Sequence, residues 1–257
     1  MAYLHLRQIC LVAPRLEPVV SDIAAIMGLE VCYRDPHVGK YGLENALLPV
    51  GPILLEVIAP TREDTAAGRF LDKTGGRGGY MAIFACDDPD GRAARANEMG
   101  VRTANVIDHP PYHGVQLHPR DCRAAFIELN HTEGSDDVLG PYPPAGPDWT
   151  RAIRSDVTSA LTEVVLQSPA PALLAAHWGR ILDVVPAAGS DGVEQLYLPN
   201  ARIRVEPGER ELMSGLTFRV ADAARVADAA RARGYAVSGG CFTTGGVAFA
   251  LQGAVAN

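Results

Sequence analysis

Apolar and polar positions follow each other along the chain in a recurring order. In the first stretch, the apolar run Ile9–Val12 predicts a strand, and apolar positions spaced three and four apart over 17–27 predict a helix. Gly28 stands where a left-handed residue commonly ends a helix. Three more strands are predicted within 29–33, 44–50 and 52–60. The unit is therefore βαβββ.

The same order recurs three more times. The later copies begin with the apolar runs Tyr80–Asp88, Leu161–Pro169 and Gly215–Asp222. The first, second and fourth copies share a helix–glycine–strand phrase, seen as MGLEVCY, MGVRTAN and RGYAVSG, and in the fourth copy the predicted strand covers 235–240. This repetition predicts an α+β fold of four βαβββ modules in two pairs, each pair forming an eight-stranded cup with helices outside. An ordinary α/β sandwich without duplication is the alternative.

A segment rich in glycine, proline and aspartate separates the second and third copies. It covers residues 134–150 and has the composition of a linker. We therefore predict a first domain over 1–133, with the candidate active site, and a second domain over 151–257.

Composition narrows the classes of function. Apolar residues make up 47% and charged residues 21%, as in globular proteins. No apolar run is long enough to span a membrane, and the segment Met1–Leu11 lacks the order of a signal peptide, so we expect a cytoplasmic protein. The net charge of −7 and the scattered basic residues disfavour nucleic acid as a partner. The sequence contains no phosphate-binding loop and no dinucleotide motif, so we expect no nucleotide cofactor.

Several phrases in the first half resemble a known superfamily. They are ICLVAPRLEPVVSDIAAIMGLEV, ILLEVIAP, TAAGRFLDKTGGRGGYMAIFACDD and VQLHPRDCRAAFIELN, within residues 6–131. These phrases resemble the vicinal oxygen chelate (glyoxalase-like) superfamily, and within it the methylmalonyl-CoA epimerases. The second half is similar by pattern alone. The resemblance implies that the modules form two glyoxalase-like domains, each with two modules lining one cavity.

The resemblance also implies a metal site on inward positions of the first and last strands of each module. Those positions hold Gln8, Glu56, Met81 and Glu128. Gln8, Glu56 and Glu128 offer oxygen ligands for a divalent ion such as Mg, Mn, Fe or Co. Met81 and Gln8 replace the more usual histidine, and a thioether is a poor ligand for a hard ion. A metal-free polar cavity is therefore the alternative.

Candidate catalytic residues follow from the same resemblance. Glu44 lies near the strand position where the epimerases carry a base, although a register slip of one residue would turn Asn45 inward instead. Glu128 and His113 are the other candidates. His118 matches the histidine of the epimerase HP turn, which we expect to shape that turn. In the second half, Gly215 and Ala250 stand at ligand positions and only Glu163 has a donor, so we expect a degenerate site there.

Three functions agree with these residues. The first is a lyase, isomerase or epimerase that acts on a small molecule next to a carbonyl, with a divalent metal. The second is a metal-free binding or resistance-type protein, and the third is a metal-free enzyme that uses Glu44 or His113. A small molecule is the expected partner in each case, and a homodimer is the candidate assembly.

Overall fold

The first half of the chain forms seven strands and four helices. The computed structural model describes residues 2–253, so that residue 1 and residues 254–257, at the ends of the two predicted domains, lie outside the described residues. The first-half elements are β1 (Leu4–Val12), α1 (Val19–Met27), β2 (Leu43–Val50), β3 (Ile53–Pro60), α2 (Ala66–Thr74), β4 (Met81–Cys86), α3 (Pro89–Glu98), β5 (Thr103–His109), β6 (Tyr112–Leu117), α4 (Pro119–Cys122) and β7 (Phe126–His131).

The second half forms seven further strands and two helices. They are β8 (Thr158–Ser168), α5 (Pro171–Leu182), β9 (Ala187–Ala188), β10 (Glu194–Tyr197), β11 (Arg202–Pro207), β12 (Leu212–Val220), α6 (Ala223–Ala232), β13 (Cys241–Thr244) and β14 (Val247–Gly253). Short 3-10 helices cover Pro36–Tyr41, Pro143–Ala145 and Trp149–Ala152. No helix among the described residues is both long and apolar enough to cross a membrane.

The strands form two seven-stranded sheets, one from each half of the sequence. The strand orders are β2-β3-β1-β4-β7-β6-β5 and β13-β14-β12-β8-β11-β10-β9. In both sheets, the first and last strands of a module are parallel neighbours, as β4 with β7 and β12 with β14 show. The prediction of an α+β fold with two glyoxalase-like sheets is confirmed.

Each sheet has seven strands where eight were predicted. The two predicted strands that do not form are 29–33 and 235–240, which follow the helix of the first and the fourth module. The first keeps one bridge, Tyr33 with Leu47, before Pro36 starts a 3-10 helix. The second keeps one bridge, Ser238 with Cys241, because Gly239 and Gly240 have left-handed backbones that close a tight turn.

Two helices begin in the same way and reflect the repeated module. The strand before α3, β4, is followed by Asp87 and Asp88, and the Asp88 carboxylate accepts a hydrogen bond from Gly91 N at 2.9 Å. The strand before α6 ends shortly before Asp222, whose carboxylate accepts one from Arg225 N at 3.0 Å. An aspartate side chain in this position satisfies one of the free N–H groups of the first turn.

The chain divides into two compact units that do not follow the sequence halves. The first unit comprises the chain up to Gln8, Met81–Pro143 and Glu163–Met213; the second unit comprises Ile9–Tyr80, Pro144–Thr162 and the chain from Ser214 onward. Within the first unit, the Phe84 and Trp178 rings meet edge to face at 6.4 Å. Within the second, Phe218 stacks on Phe249 at 4.7 Å, beside Phe242. Each unit therefore has an aromatic core of its own.

Candidate active site

Glu128 is the centre of a buried hydrogen-bond network in the first unit. It lies on β7, is 3% exposed and stands directly opposite Gln116 of β6. Its Oε2 accepts a hydrogen bond from Gln116 Nε2 at 2.7 Å, and its Oε1 accepts one from the Tyr112 hydroxyl. Both carboxylate oxygens therefore have a donor, which compensates part of the cost of burying the charge.

The alternation of β6 puts Tyr112, Gly114 and Gln116 on one face. A Cβ on Gly114 would lie 3.0 Å from the Tyr112 ring and 3.2 Å from Glu128 Oε1. The absence of a side chain at this position therefore lets the Tyr112 ring lie across the strand and reach Glu128.

Burial holds Tyr112 in its protonated form. Burial first, and then the charge of Glu128, raises the pKa of Tyr112 well above its ordinary value. Tyr112 is therefore a hydrogen-bond donor at neutral pH. On the other side of Glu128, Gln116 accepts a hydrogen bond from the exposed Asn105 at 3.1 Å, so the network extends to the edge strand β5.

The segment 134–143, which we name the strap, contributes the next part of the site. Its Tyr142 is 2% exposed and donates a hydrogen bond to Gln8 Oε1 at 2.9 Å. The Tyr142 ring also meets the Tyr112 ring edge to face, with centroids 6.0 Å apart. Gln8 and Glu128 are therefore both held by tyrosine hydroxyls, and these two tyrosines are in contact.

Arg7 fixes the strap. Its side chain is fully buried, its Nη1 donates to Val138 O and its Nη2 donates to Gly140 O at 2.7 Å. Its guanidinium carbon lies 4.8 Å from the centre of the Tyr142 ring, in the range of a cation–π contact.

In the second unit, Glu56 is held by Asn45. Glu56 is 8% exposed, and its Oε1 accepts a hydrogen bond from Asn45 Nδ2 at 2.7 Å. The register of β2 with β3 places Leu47 opposite Glu56 and Glu44 opposite Ala59, so Asn45 and Glu56 share a face that Glu44 does not. Asn45 is therefore the inward residue at this point of β2.

Glu44 is exposed and lines a shallow groove of about 210 Å³. Arg34, Asp35 and Asn45 line the same groove. Asn45 also accepts a hydrogen bond from Asp35 N at 2.8 Å. The groove is smaller than the roughly 300–1,000 Å³ of common ligand pockets.

The histidine candidates lie apart from the Glu128 network. His113 is partly exposed, points to the opposite face of β6 from Tyr112, and lies 3.1 Å from Asp90 and 3.6 Å from Asp108. His118 accepts a hydrogen bond from Arg120 N at 3.3 Å at the start of α4, so it shapes the turn.

Met81 is 8% exposed, and the parallel register of β4 with β7 puts it on the same face as Glu128. In the second half, Glu163 is ion-paired with Arg202 at 2.5 Å, and Gly215 and Ala250 carry no donor.

The donor set does not fit a resident divalent metal ion. Both oxygens of Glu128, Oε1 of Glu56 and Oε1 of Gln8 accept hydrogen bonds from side chains of the protein. A hard cation needs several oxygen ligands, and the sulfur of Met81 is a poor substitute. Within residues 2–253, no three or more His, Cys, Asp or Glu side chains are grouped so that they could hold a metal ion.

Sequence reasoning missed four residues of the site: Arg7, Tyr112, Gln116 and Tyr142. The run YHGVQ over 112–116 carried a signal, because it puts a phenol and an amide on one face of a strand beside Glu128. Tyr142 carried no signal, because it lies in a segment that reads as a linker.

Solved structures with a similar fold span the whole chain. A hypothetical protein from Staphylococcus aureus matches with a TM-score of 0.68 and 13% identity, covering 98% of this chain and 99% of that one. A Mn(II)-bound glyoxalase from Novosphingobium aromaticivorans matches with a TM-score of 0.64 and 15% identity, covering 98% and 82%. Streptomyces coelicolor methylmalonyl-CoA epimerase matches 51% of this chain and 96% of its own at 26% identity and a TM-score of 0.45.

No family model and no curated protein matches the sequence. The full-length structural matches nevertheless show the fold: the chain folds like the Mn(II)-bound glyoxalase. The resemblance predicted from the sequence is confirmed at the level of the fold.

Proposed function

We propose that this chain is a glyoxalase-like enzyme that moves a proton at the carbon next to a carbonyl of a small molecule, without a resident metal. The observation that carries the proposal is the buried Glu128 carboxylate with Tyr112 and Gln116 as its donors. A carboxylate held in a fixed orientation beside a protonated phenol provides a base and a hydrogen-bond donor in one place.

In the proposed reaction, the substrate carbonyl takes the Tyr112 hydrogen bond away from Glu128. Glu128 then removes the proton from the neighbouring carbon, the electron pair of that C–H bond forms a C=C bond, and the π pair of the carbonyl moves to its oxygen. Tyr112 stabilises the charge on this oxygen. Gln116 keeps its hydrogen bond to Glu128 Oε2 and is a positioning residue. Because the Glu128 carboxyl exchanges its proton with solvent, return of a proton to the carbon gives the carbonyl compound with solvent hydrogen at that position.

The test is exchange of solvent deuterium into carbonyl compounds, followed by proton NMR. The panel contains simple 2-oxo acids, aldehydes and thioesters. We expect wild-type protein to catalyse exchange after dialysis against a chelator, and Glu128→Gln to lose about a hundredfold or more of the rate. Glu44→Gln and His113→Asn are matched controls at the other candidate residues and should keep the wild-type rate.

Two results would contradict this function. Loss of exchange in the chelated protein, with recovery on adding Mn²⁺, would support the metal-dependent alternative with Gln8, Glu56 and Glu128 as ligands. Loss of exchange in Glu44→Gln or His113→Asn instead of Glu128→Gln would move the base to that residue.

A binding protein without chemistry is the second candidate. The observation that favours it is the filling of the site by the protein's own aromatic side chains, Tyr112 and Tyr142. Under this function, members of the panel bind in calorimetry but exchange no deuterium above the uncatalysed rate.

A further inference from the structure

Arg7 presents a fully buried guanidinium to the strap. Two of its nitrogens donate to backbone carbonyls two residues apart, those of Val138 and Gly140. A guanidinium matches a carboxylate best, because two parallel N–H groups meet two oxygens that share the negative charge. In this structure, two N–H groups that would suit a carboxylate are used by neutral carbonyls of the strap.

Several buried polar atoms of the described chain have no hydrogen bond, and they belong to residues that shortly precede either the strap or Arg7 in the sequence. Both amide atoms of Asn130 and the Thr132 hydroxyl are such atoms, and these residues are 0% and 1% exposed. So is Nε2 of His5, which stands two residues before Arg7 on β1. Buried polar groups are paired in the great majority of cases, because an unpaired group loses its hydrogen bonds to water without replacement.

These atoms belong to the same end of the first sheet as the Glu128 network. Asn130 stands two residues after Glu128, opposite Gly114, and so shares its face. Thr132 follows the end of β7, and its backbone N donates to Ser135 Oγ of the strap at 3.1 Å. The unpaired atoms of Asn130 and Thr132 therefore belong to the segment that joins the Glu128 network to the strap.

We propose that the strap occupies the place of the ligand, and that the ligand is a small carboxylate that displaces the strap and takes over the hydrogen bonds of Arg7. This proposal rests on the proposed function, since it names the substrate class of the Glu128 site. Once the strap has left, Asn130 and Thr132 offer an amide and a hydroxyl to the polar substituents of the ligand. The Tyr142 ring leaves Tyr112 at the same time, which uncovers Glu128.

The experiment titrates pyruvate into the full-length protein by calorimetry, with methyl pyruvate as the uncharged control and inorganic phosphate as the control for any anion. Tyr142→Ala removes the ring on Arg7 and the hydrogen bond to Gln8. Because a closed strap reduces the fraction of protein able to bind, this variant should bind pyruvate about tenfold more tightly than wild type. Leu139→Ala, at a strap side chain that is 49% exposed, is the matched control and should bind like wild type.

Arg7→Lys keeps the charge but loses the two-pronged geometry, and we expect it to weaken pyruvate binding about tenfold or more. Hydrogen exchange of the strap amides gives a second measurement, since exchange over 134–143 should accelerate when pyruvate binds to wild type. Circular dichroism shows whether each variant folds. If Arg7→Lys does not fold, Tyr142→Ala and the hydrogen-exchange measurement on wild type still test the proposal.

The proposal is overturned if Tyr142→Ala binds pyruvate no more tightly than wild type, if the ester or phosphate binds as well as the acid, or if strap exchange does not change. It fails separately from the proposed function. If carboxylates bind but no deuterium exchange is catalysed, the strap proposal stands and the proposed enzymatic function is wrong. If exchange is equally fast for acids and neutral carbonyl compounds, the proposed function stands and the strap proposal is wrong.

Discussion

At the scale of single residues, the site depends on side chains whose burial sets their chemistry. Tyr112 stays protonated, Arg7 is enclosed by the strap, and His5, two residues before Arg7 on β1, is 3% exposed. Burial, together with the positive charge of Arg7, lowers the pKa of His5 from 6.5 to about 4. A neutral imidazole is therefore part of the folded state.

The lowered pKa of His5 predicts an acid-sensitive fold. Between pH 6.5 and about 4 the unfolded chain binds a proton at this residue and the folded chain does not, so stability is present above pH 6.5 and falls as the pH drops through this window. The loss should be on the order of 3 kcal/mol. Urea unfolding at several pH values measures it, and His5→Phe should flatten this part of the curve. His109→Asn, at an exposed position, is the control and should leave the pH dependence of stability unchanged. An unchanged pH dependence in His5→Phe would show that His5 is not the source of the acid sensitivity.

Gly114 gives a second prediction at this scale. Gly114→Ala should destabilise the protein by about 1–3 kcal/mol, because the new methyl group displaces the Tyr112 ring from Glu128. Thermal unfolding measures the change. Gly39→Ala is the control, since a Cβ at Gly39 would meet nothing within 4 Å. Equal stability of the two variants would show that Tyr112 can move without cost.

At the scale of elements, the repeated module could be predicted from sequence because it rests on local signals. Apolar spacing located α1, α3, α5 and α6, and the glycines marked helix ends. The strands predicted at 29–33 and 235–240 did not form, because pairing depends on neighbours that periodicity does not show. Their sequences alternate, but Pro36 and the Gly239–Gly240 pair end the pairing after a single bridge.

The site was partly predictable for the same reason. Glu128 stood out as a carboxylate inside an apolar strand, and its partners Tyr112 and Gln116 lie on the adjacent strand with the same period of two. The observed register of β2 with β3 turns Asn45 inward and Glu44 outward. The alternation of the sequence does not determine the register to within one residue, so it could not distinguish the two. Tyr142 and Arg7 come together only through the path of the strap, which has no periodic pattern.

The repeated helix start gives a prediction for the elements. Asp88→Ala and Asp222→Ala each remove a side-chain acceptor at the first turn and should each cost about 1 kcal/mol. Asp228→Ala, on the exposed side of α6, should change stability by less than about 0.5 kcal/mol. Chemical denaturation measures all three. If only one of the two aspartate substitutions lowers the free energy of unfolding, the two aspartates do not stabilise their helices equally.

At the scale of the whole molecule, the first unit draws on both halves of the sequence. Arg92 of α3 is 8% exposed and donates to Leu182 O of α5 at 3.0 Å. Trp178 Nε1 donates to Cys122 O at 3.0 Å, and Arg123 is ion-paired with Glu211. Groups that are buried in this unit therefore have their partners on the other side of the predicted boundary at 134–150.

This arrangement predicts how the chain responds to division. Residues 1–150 expressed alone should melt at a lower temperature than the full chain, because Arg92 and the surface around Cys122 lose their partners. Co-expressed with 151–257, the two pieces should purify together. Affinity purification and circular dichroism measure both effects. A piece 1–150 that unfolds cooperatively at the full-length temperature would show instead that the predicted domain folds on its own.

The strap has a proline on each side of its tyrosine, Pro141 and Pro143. Because proline fixes φ, a released strap samples fewer conformations than a glycine- or serine-rich segment of equal length. Little chain entropy is therefore lost when it settles again over Arg7. Under the strap proposal, the stiff segment returns to the same place over Arg7 and competes there with any weakly bound carboxylate. This competition favours release of the product.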